Sequence, residues 1–168
     1  MSSVAEFQQS LSQSNTESTV TTPETFAETL AAVVDRPAVG AALPFEDVDL
    51  ADAPVTLNPT PAQLREAKTG VTAAGLGVAS LGTVAIQSRA AGDELVSIHP
   101  ETHVVVVRER DLCPDLDAAF DWLEGRFDEG ERSFVLATGA SATGDMGALV
   151  EGVHGPEDVH VMVLADDE

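Results

Sequence analysis

The sequence predicts an α/β domain built on a layered, mostly parallel or mixed sheet covered by helices, and three observations carry that expectation. Residues 103–108 include four consecutive valines, Val104–Val107, and an unbroken β-branched run suits a strand buried on both faces. The second half of the chain alternates between short apolar runs and amphipathic stretches, in the order strand, helix, strand, turn, helix, strand. That is the rhythm of a sheet with helices packed over it. The 168 residues, 43% of them hydrophobic, are also enough for one domain with its own core.

The elements follow in order. Residues 1–21 are rich in Ser, Thr and Gln, and Val4, Phe7 and Leu11 make only a weak helical stripe; the segment is expected to be a flexible polar arm. A single domain is expected over residues 22–168. Thr22-Pro23-Glu24 opens a helix, with Thr suited to the N-cap and Pro to the first turn; Phe26, Leu30, Val33 and Val34 give it an apolar face to about Asp35. Ala38–Leu43 is a short apolar strand, and residues 44–61, rich in Asp and Pro, form an irregular connection. Pro61–Lys68 makes one or two helical turns, Thr69–Thr72 is extended, and the Gly/Ala-rich residues 73–79 pack closely. Thr83–Gln87 and Leu95–Ile98 are strand candidates ahead of the valine strand. Asp115–Phe127 is the clearest helix, with Leu116, Ala119, Phe120, Leu123 and Phe127 on one side and acids on the other. Ser133–Ala137 is a strand, Thr138–Gly144 a Gly-rich turn, Asp145–Glu151 a helix and Val159–Leu164 the last strand.

Charge narrows the function. The net charge is −21, from 29 acidic and 8 basic residues, with Lys68 the sole lysine. Nothing here would neutralise many phosphates, which excludes nucleic acid, and anionic membranes are excluded for the same reason. The acids are scattered rather than blocked. Scatter fits adaptation to a very salty cell interior, where a Debye length of roughly 3 Å makes self-repulsion cheap; an acidic partner-binding surface is the alternative. One cysteine, Cys113, permits no intrachain disulfide and no Fe–S cluster held by this chain alone. No run approaches a membrane span and the N-terminus lacks the features of a signal peptide, so the cytoplasm is the expected location.

Three Gly-rich pieces are the candidates for chemistry. The strongest is Thr138-Gly139-Ala140-Ser141-Ala142-Thr143-Gly144-Asp145, between a strand and a helix, where ligands bind in open α/β sheets. Backbone N–H groups near Gly139 and the Ser141 and Thr143 hydroxyls could hold an anionic group; the same residues equally cap helices and make turns. Asp145 argues against simple anion binding, since its carboxylate repels a phosphate. The second piece is Gly152-Val153-His154-Gly155-Pro156, a tight bend in which His154 is a general base, a donor to substrate, or a histidine that merely bonds the bend. The third is Gly82-Thr83, where glycine permits close approach of a backbone or a ligand. The glycines at 75, 77 and 82 do not form a dinucleotide fingerprint. His99 and His103 are spaced as a helical metal pair, but Pro100 and the valine run place them on a turn entering a strand, so no metal site is expected. Cys113, before Pro114, reads as an inert thiol.

From about Gly70 to Leu164 these pieces resemble the LUD domain family, of the LutC/YkgG type. The family's Gly-Val-Thr stands here as Gly70-Val71-Thr72, and its Ile-Ala-Asp/Glu-Thr-Gly-Thr as Val78-Ala79-Ser80-Leu81-Gly82-Thr83. Its Pro-x-x-His before an apolar strand is Pro100–His103, and its closing Gly-Val-His-Gly-Pro is Gly152–Pro156. The resemblance implies a fold similar to the NagB/RpiA/CoA-transferase group. It also implies a role in oxidising L-lactate to pyruvate as an accessory subunit, with Fe–S clusters carried only by partner subunits and no cofactor bound by this chain. The site expected from the Gly-rich pieces themselves has His154 or Asp145 as the acid or base, and Gly82, Thr83, Gly139, Ser141, Thr143, Gly152 and Gly155 around the ligand. The family's Thr-Gly-Pro-Ser-Arg-Thr-Ala-Asp-Ile-Glu segment stands here as Thr138–Gly147, so its Arg and Glu are Ala142 and Gly147, and the residues before Gly-Thr are Ser80 and Leu81. Loss of that arginine removes a natural bidentate partner for a carboxylate. A stand-alone enzyme, or a ligand-binding protein for a small carboxylate or phosphorylated metabolite, is the alternative.

Overall fold

The valine run sits where its composition demands. In the computed structural model, which describes residues 3–140 and 155–166, it forms the centre of β7 (Thr102–Arg108), and all four valines are fully buried. Side chains alternate across a strand, so Val104 and Val106 enter one apolar cluster while Val105 and Val107 enter another on the opposite face. A strand with apolar layers on both sides must be internal. β7 is flanked by β4 (Thr69–Ala73) and by β10 (Asp158–Leu164). The sheet extends through β2 (Ala38–Gly40) to β3 (Thr56–Leu57) on one side and through β10 to β1 (Glu17–Thr21) on the other, with every pair parallel.

A second sheet of mixed direction, in the order β8 (Leu112–Cys113), β5 (Leu76–Val78), β6 (Thr83–Gln87) and β9 (Phe134–Ala137), lies over one face of the first. Ala79, Val84 and Ile86 meet Val105, Val107, Val161 and Val163 across the interface. The opposite face of the parallel sheet is covered by α2 (Phe26–Val33) and residues 43–57, through Phe26, Leu30, Val48 and Leu50. Helices α3 (Pro61–Glu66) and α4 (Asp93–Ile98) close the β2 side through Leu64 and Val96. The long helix α5 (Leu116–Asp128), capped where the Asp115 carboxylate accepts from Ala118 N–H at 3.0 Å, packs Ala119 and Trp122 on the outside of the second sheet.

Two expectations are corrected. Residues 3–21 are not a free arm: they form α1 (Ser3–Gln13) and β1, the latter hydrogen-bonded in parallel to β10. Phe7 and Leu11 are 0% and 1% exposed and complete the core between the sheets. Two apolar residues four apart are a weak pattern on paper, yet one turn of helix places both on the same face. Leu95–Ile98 is not a strand but the body of α4. Only Val96 of its three apolar residues is buried, and Leu95 and Ile98 face outward. Gly92, at φ 91°, turns the chain into this helix, and the buried Asp93 is held by Arg89 one turn before it at 2.7 Å. The helix expected over Asp145–Glu151 lies outside the described residues.

Candidate functional site

The described parts of the Gly-rich pieces gather at the end of the parallel sheet where its strands begin. Thr83 and Thr138 share a hydroxyl–hydroxyl hydrogen bond of 2.6 Å, which ties the start of β6 to the end of β9. Gly82, at φ 65°, lies against the last turn of α1, where a Cβ would stand 2.9 Å from Leu11 N. Gly139, at φ 68°, lies against the following turn, 3.2 Å from Ser14 O by the same measure. The space at Gly82 is therefore taken by α1, and that at Gly139 by Ser14 and Thr16, which follow that helix. Gly155 precedes β10, where Glu157 N–H donates to Glu101 O at 2.7 Å. Ser141, Thr143, Asp145, Gly152 and His154, with Ala142 and Gly147, lie outside the described residues.

The two histidines on described strands differ in character. His103 is buried in β7, with its Nε2 2.7 Å from Thr72 Oγ1 on β4, and burial pushes its pKa from 6.5 to about 4. It is a neutral core side chain, remote in role from His99 on the exposed end of α4. His160 on β10 was not singled out from sequence. Its Nε2 lies 2.8 Å from Thr19 Oγ1 and its Nδ1 3.5 Å from the exposed Glu17 carboxylate; burial lowers its pKa against the pull of Glu17. Open grooves of about 540 and 560 Å³ flank this histidine. They are roomy but shallow, lined by polar side chains and strand-edge backbone, and a carboxylate so exposed orients an imidazole weakly. Among the described residues, no group of three His, Cys, Asp or Glu side chains could hold a metal ion. No helix among them is long and apolar enough to cross a membrane.

The opposite end of the sheet, where β4 and β7 finish, holds a smaller and chemically sharper cleft of about 310 Å³. Its walls come from both layers: Ala73–Gly75 and Arg108 from the parallel-sheet side, Gln87 and Phe134 from the second sheet, Trp122 and Arg126 from α5. Four of the chain's seven arginines line it: Arg89, Arg108, Arg110 and Arg126. Arg108, the last residue of β7, is only 5% exposed; it donates to Asp47, and its guanidinium lies 4.8 Å from the centre of the Phe45 ring. The same contact holds the Asp47 carboxyl below its usual range. Arg126 donates to Glu131 and to Glu129 and lies 5.5 Å from the centre of the Trp122 ring, which in turn meets Phe134 edge to face at 5.3 Å. Arg89 donates to Ala42 O at 2.8 Å and to the buried Asp93. Asp111, on the rim, has its pKa raised by burial against the pull of Arg110. Guanidinium forks beside aromatic faces are the chemistry of oxyanion recognition. The cleft also lies outside the carboxyl ends of parallel strands, where open α/β sheets bind ligands. Sequence reasoning missed it because its arginines come from separate elements. The one available signal was that scarce basic residues punctuate the ends of apolar strands.

Comparison with known proteins agrees with this architecture. A family model described as the LUD domain matches residues 58–164, which begins some residues before the stretch that the motifs delimit. The chain is similar to Lactate utilization protein C of Deinococcus radiodurans, with 31% identity over 105 residues, 61% of this chain and 49% of that protein. The chain thus spans about half the length of this curated relative. Among solved structures, it resembles the crystal structure of a DUF162 family protein from Deinococcus radiodurans. The TM-score is 0.72, with 96% of both chains covered and 18% identity, a likeness of fold.

Proposed function

The chain belongs to the LUD domain family, and from that membership we propose that it serves lactate utilisation as an accessory subunit of an Fe–S-dependent system oxidising L-lactate to pyruvate. The observation that supports this most is the 31% identity to Lactate utilization protein C. The donor set of the chain itself fits the accessory role. Cys113 is its sole cysteine, half-buried in β8; its thiol leans on Asp115 O at 3.4 Å and burial raises its pKa. Since an Fe–S cluster takes several thiolates, the clusters of such a system belong on partner chains. This reading puts the protein in the cytoplasm, working beside those chains.

Deleting the gene and plating the strain on L-lactate as sole carbon source tests the proposal. Loss of growth, with recovery of an iron-containing partner on the tagged full-length chain, is the expected result. Wild-type growth on lactate and a tagged chain that returns alone would overturn it.

The arginine cleft favours a second reading, a stand-alone enzyme or binding protein for a small carboxylate or phosphorylated metabolite. The acid or base that the sequence offers for such an enzyme, His154 or Asp145, belongs to the Gly-rich pieces and is an assignment separate from the cleft. Unchanged turnover in His154→Ala would remove that assignment.

A further inference from the structure

We propose that the arginine cleft at the carboxyl ends of β4 and β7 is a binding site for a small organic anion, with Arg108 and Arg126 holding its oxyanion group and Trp122 holding a flat apolar body. The inference does not depend on lactate being the ligand, nor on the Gly-rich bends at the other end of the sheet.

Placement is the first argument. In a chain with 29 acidic and only 8 basic residues, four arginines around one cavity are a concentration that surface solvation does not call for. Burial is the second. Arg108 is 5% exposed, and its Nε–H is buried without a hydrogen-bond partner among the described residues; the Nε–H of Arg126 is in the same condition. A buried donor left unpaired costs about 1–3 kcal/mol. Two such donors around one cavity point to an acceptor delivered from outside.

The carboxylates around the cleft fit this reading. Asp47 takes one terminal nitrogen of Arg108, with Asp166 3.8 Å from the other, and Glu131 and Glu129 take the two terminal nitrogens of Arg126. Each guanidinium is thereby fixed in orientation while its Nε–H stays without a partner among the described residues. A planar fork held in this way presents a directed donor to a carboxylate or phosphate oxygen. Because neighbouring acids largely cancel the charge, recognition rests on hydrogen-bond direction and desolvation rather than on net attraction.

The aromatic wall defines the rest of the ligand. Trp122 is held by Phe134 edge to face and by Arg126 over its ring. Beneath it lies Gly75, where a Cβ would come within 3.1 Å of the ring, so the indole rests against bare backbone. A cavity of about 310 Å³ takes a metabolite-sized guest, with room for a ring or short chain beside the anionic group.

Trp122 is the only tryptophan, so its emission reads occupancy of the cleft directly. The full-length chain is titrated at constant ionic strength with benzoate, phenyl phosphate, acetate and inorganic phosphate, following fluorescence and heat. A saturable change is expected with benzoate or phenyl phosphate, and whichever binds more tightly identifies a carboxylate or a phosphate as the preferred group. Affinity is expected to fall about tenfold or more in Arg126→Gln, whose side chain is 36% exposed and whose folding is checked by its Tm. Arg65→Gln, on the exposed face of α3, is expected to bind as wild type. Acetate binding as tightly as benzoate would overturn the role given to Trp122. No saturable response to any of the four, or equal binding by Arg126→Gln, would overturn the site.

Discussion

Lowering the pH from 7 to 4 is expected to remove about 3 kcal/mol of folding free energy through His103 alone. The ring is 2% exposed, its hydrogen bond among the described residues is with the Thr72 hydroxyl, and burial brings its pKa from 6.5 to about 4. The direction follows from proton counting. In the unfolded chain His103 takes up a proton as the pH falls through 6.5, while in the fold it stays neutral until about 4. Between those values the unfolded state holds the extra proton, so stability falls with pH. The contribution is complete above 6.5 and lost below about 4. At about 1.4 kcal/mol per pH unit, the window corresponds to about 3 kcal/mol. Urea unfolding at fixed high KCl, for wild type and His103→Gln, isolates the effect. Carboxylates such as Asp47, held below its usual range by Arg108, titrate in both proteins and cancel in the difference. Glutamine keeps a polar group facing Thr72, so its own cost is a constant offset. The stability difference between the two proteins is expected to move by about 3 kcal/mol in favour of the variant across the window. A difference that stays level from pH 7 to 4 would refute the argument that burial sets this histidine's protonation.

Three further outcomes follow from the same structure. Phe7→Ala empties a fully buried site between the two sheets and is expected to cost about 3–5 kcal/mol by urea unfolding; a near-neutral change would mean that α1 is not part of the core. Gly70→Ala places a Cβ 2.1 Å from the Val96 carbonyl oxygen of α4, backbone that cannot swing aside, and a loss of about 1–3 kcal/mol or more is expected, read as a lowered Tm. The net charge of −21 is expected to make Tm rise as KCl is taken from dilute to molar, because screening relieves self-repulsion; a flat profile would remove the proposal of adaptation to a salty interior.

What the sequence made legible was what composition alone decides. Four adjacent valines have few homes other than a strand covered on both faces, and β7 is that strand. The amphipathic stretch Asp115–Phe127 reads as a helix, and α5 runs from Leu116 to Asp128 with Asp115 as its cap. The misreadings came where tertiary packing outweighs a short pattern. Leu95–Ile98 is apolar enough for a strand, but the pairing of Arg89 with the buried Asp93 and the turn at Gly92 commit it to a helix. Phe7 and Leu11 are too few to announce a core helix, yet the cavity between two sheets needs only one apolar face to fill it. Gly82 and Gly139 read as ligand contacts because glycine marks close approach; in the structure the approaching groups are the backbone of α1 at Gly82 and Ser14 with Thr16 at Gly139. The arginine cleft was invisible because its parts, contributed by β7, α5 and the segments between, meet only when both sheets are assembled.

The acidity of the chain and its arginine-lined cleft bear on one another. In dilute salt a net charge of −21 raises a repulsive field against any approaching anion. In molar salt the Debye length falls to about 3 Å, which abolishes steering of either sign. Neither regime lets this protein gather an anion from a distance, so selection among anions has to occur at contact. Contact selection needs donors already desolvated and already aimed, because a flexible surface lysine would lose both its Coulomb reach and its side-chain entropy for little return. Arginines fixed by neighbouring carboxylates, one of them buried almost completely, meet that requirement where the scattered surface charges do not. A cleft of this construction should accordingly keep its affinity for an aromatic anion as KCl rises from dilute to molar, at the very point where a charge-steered site would lose it.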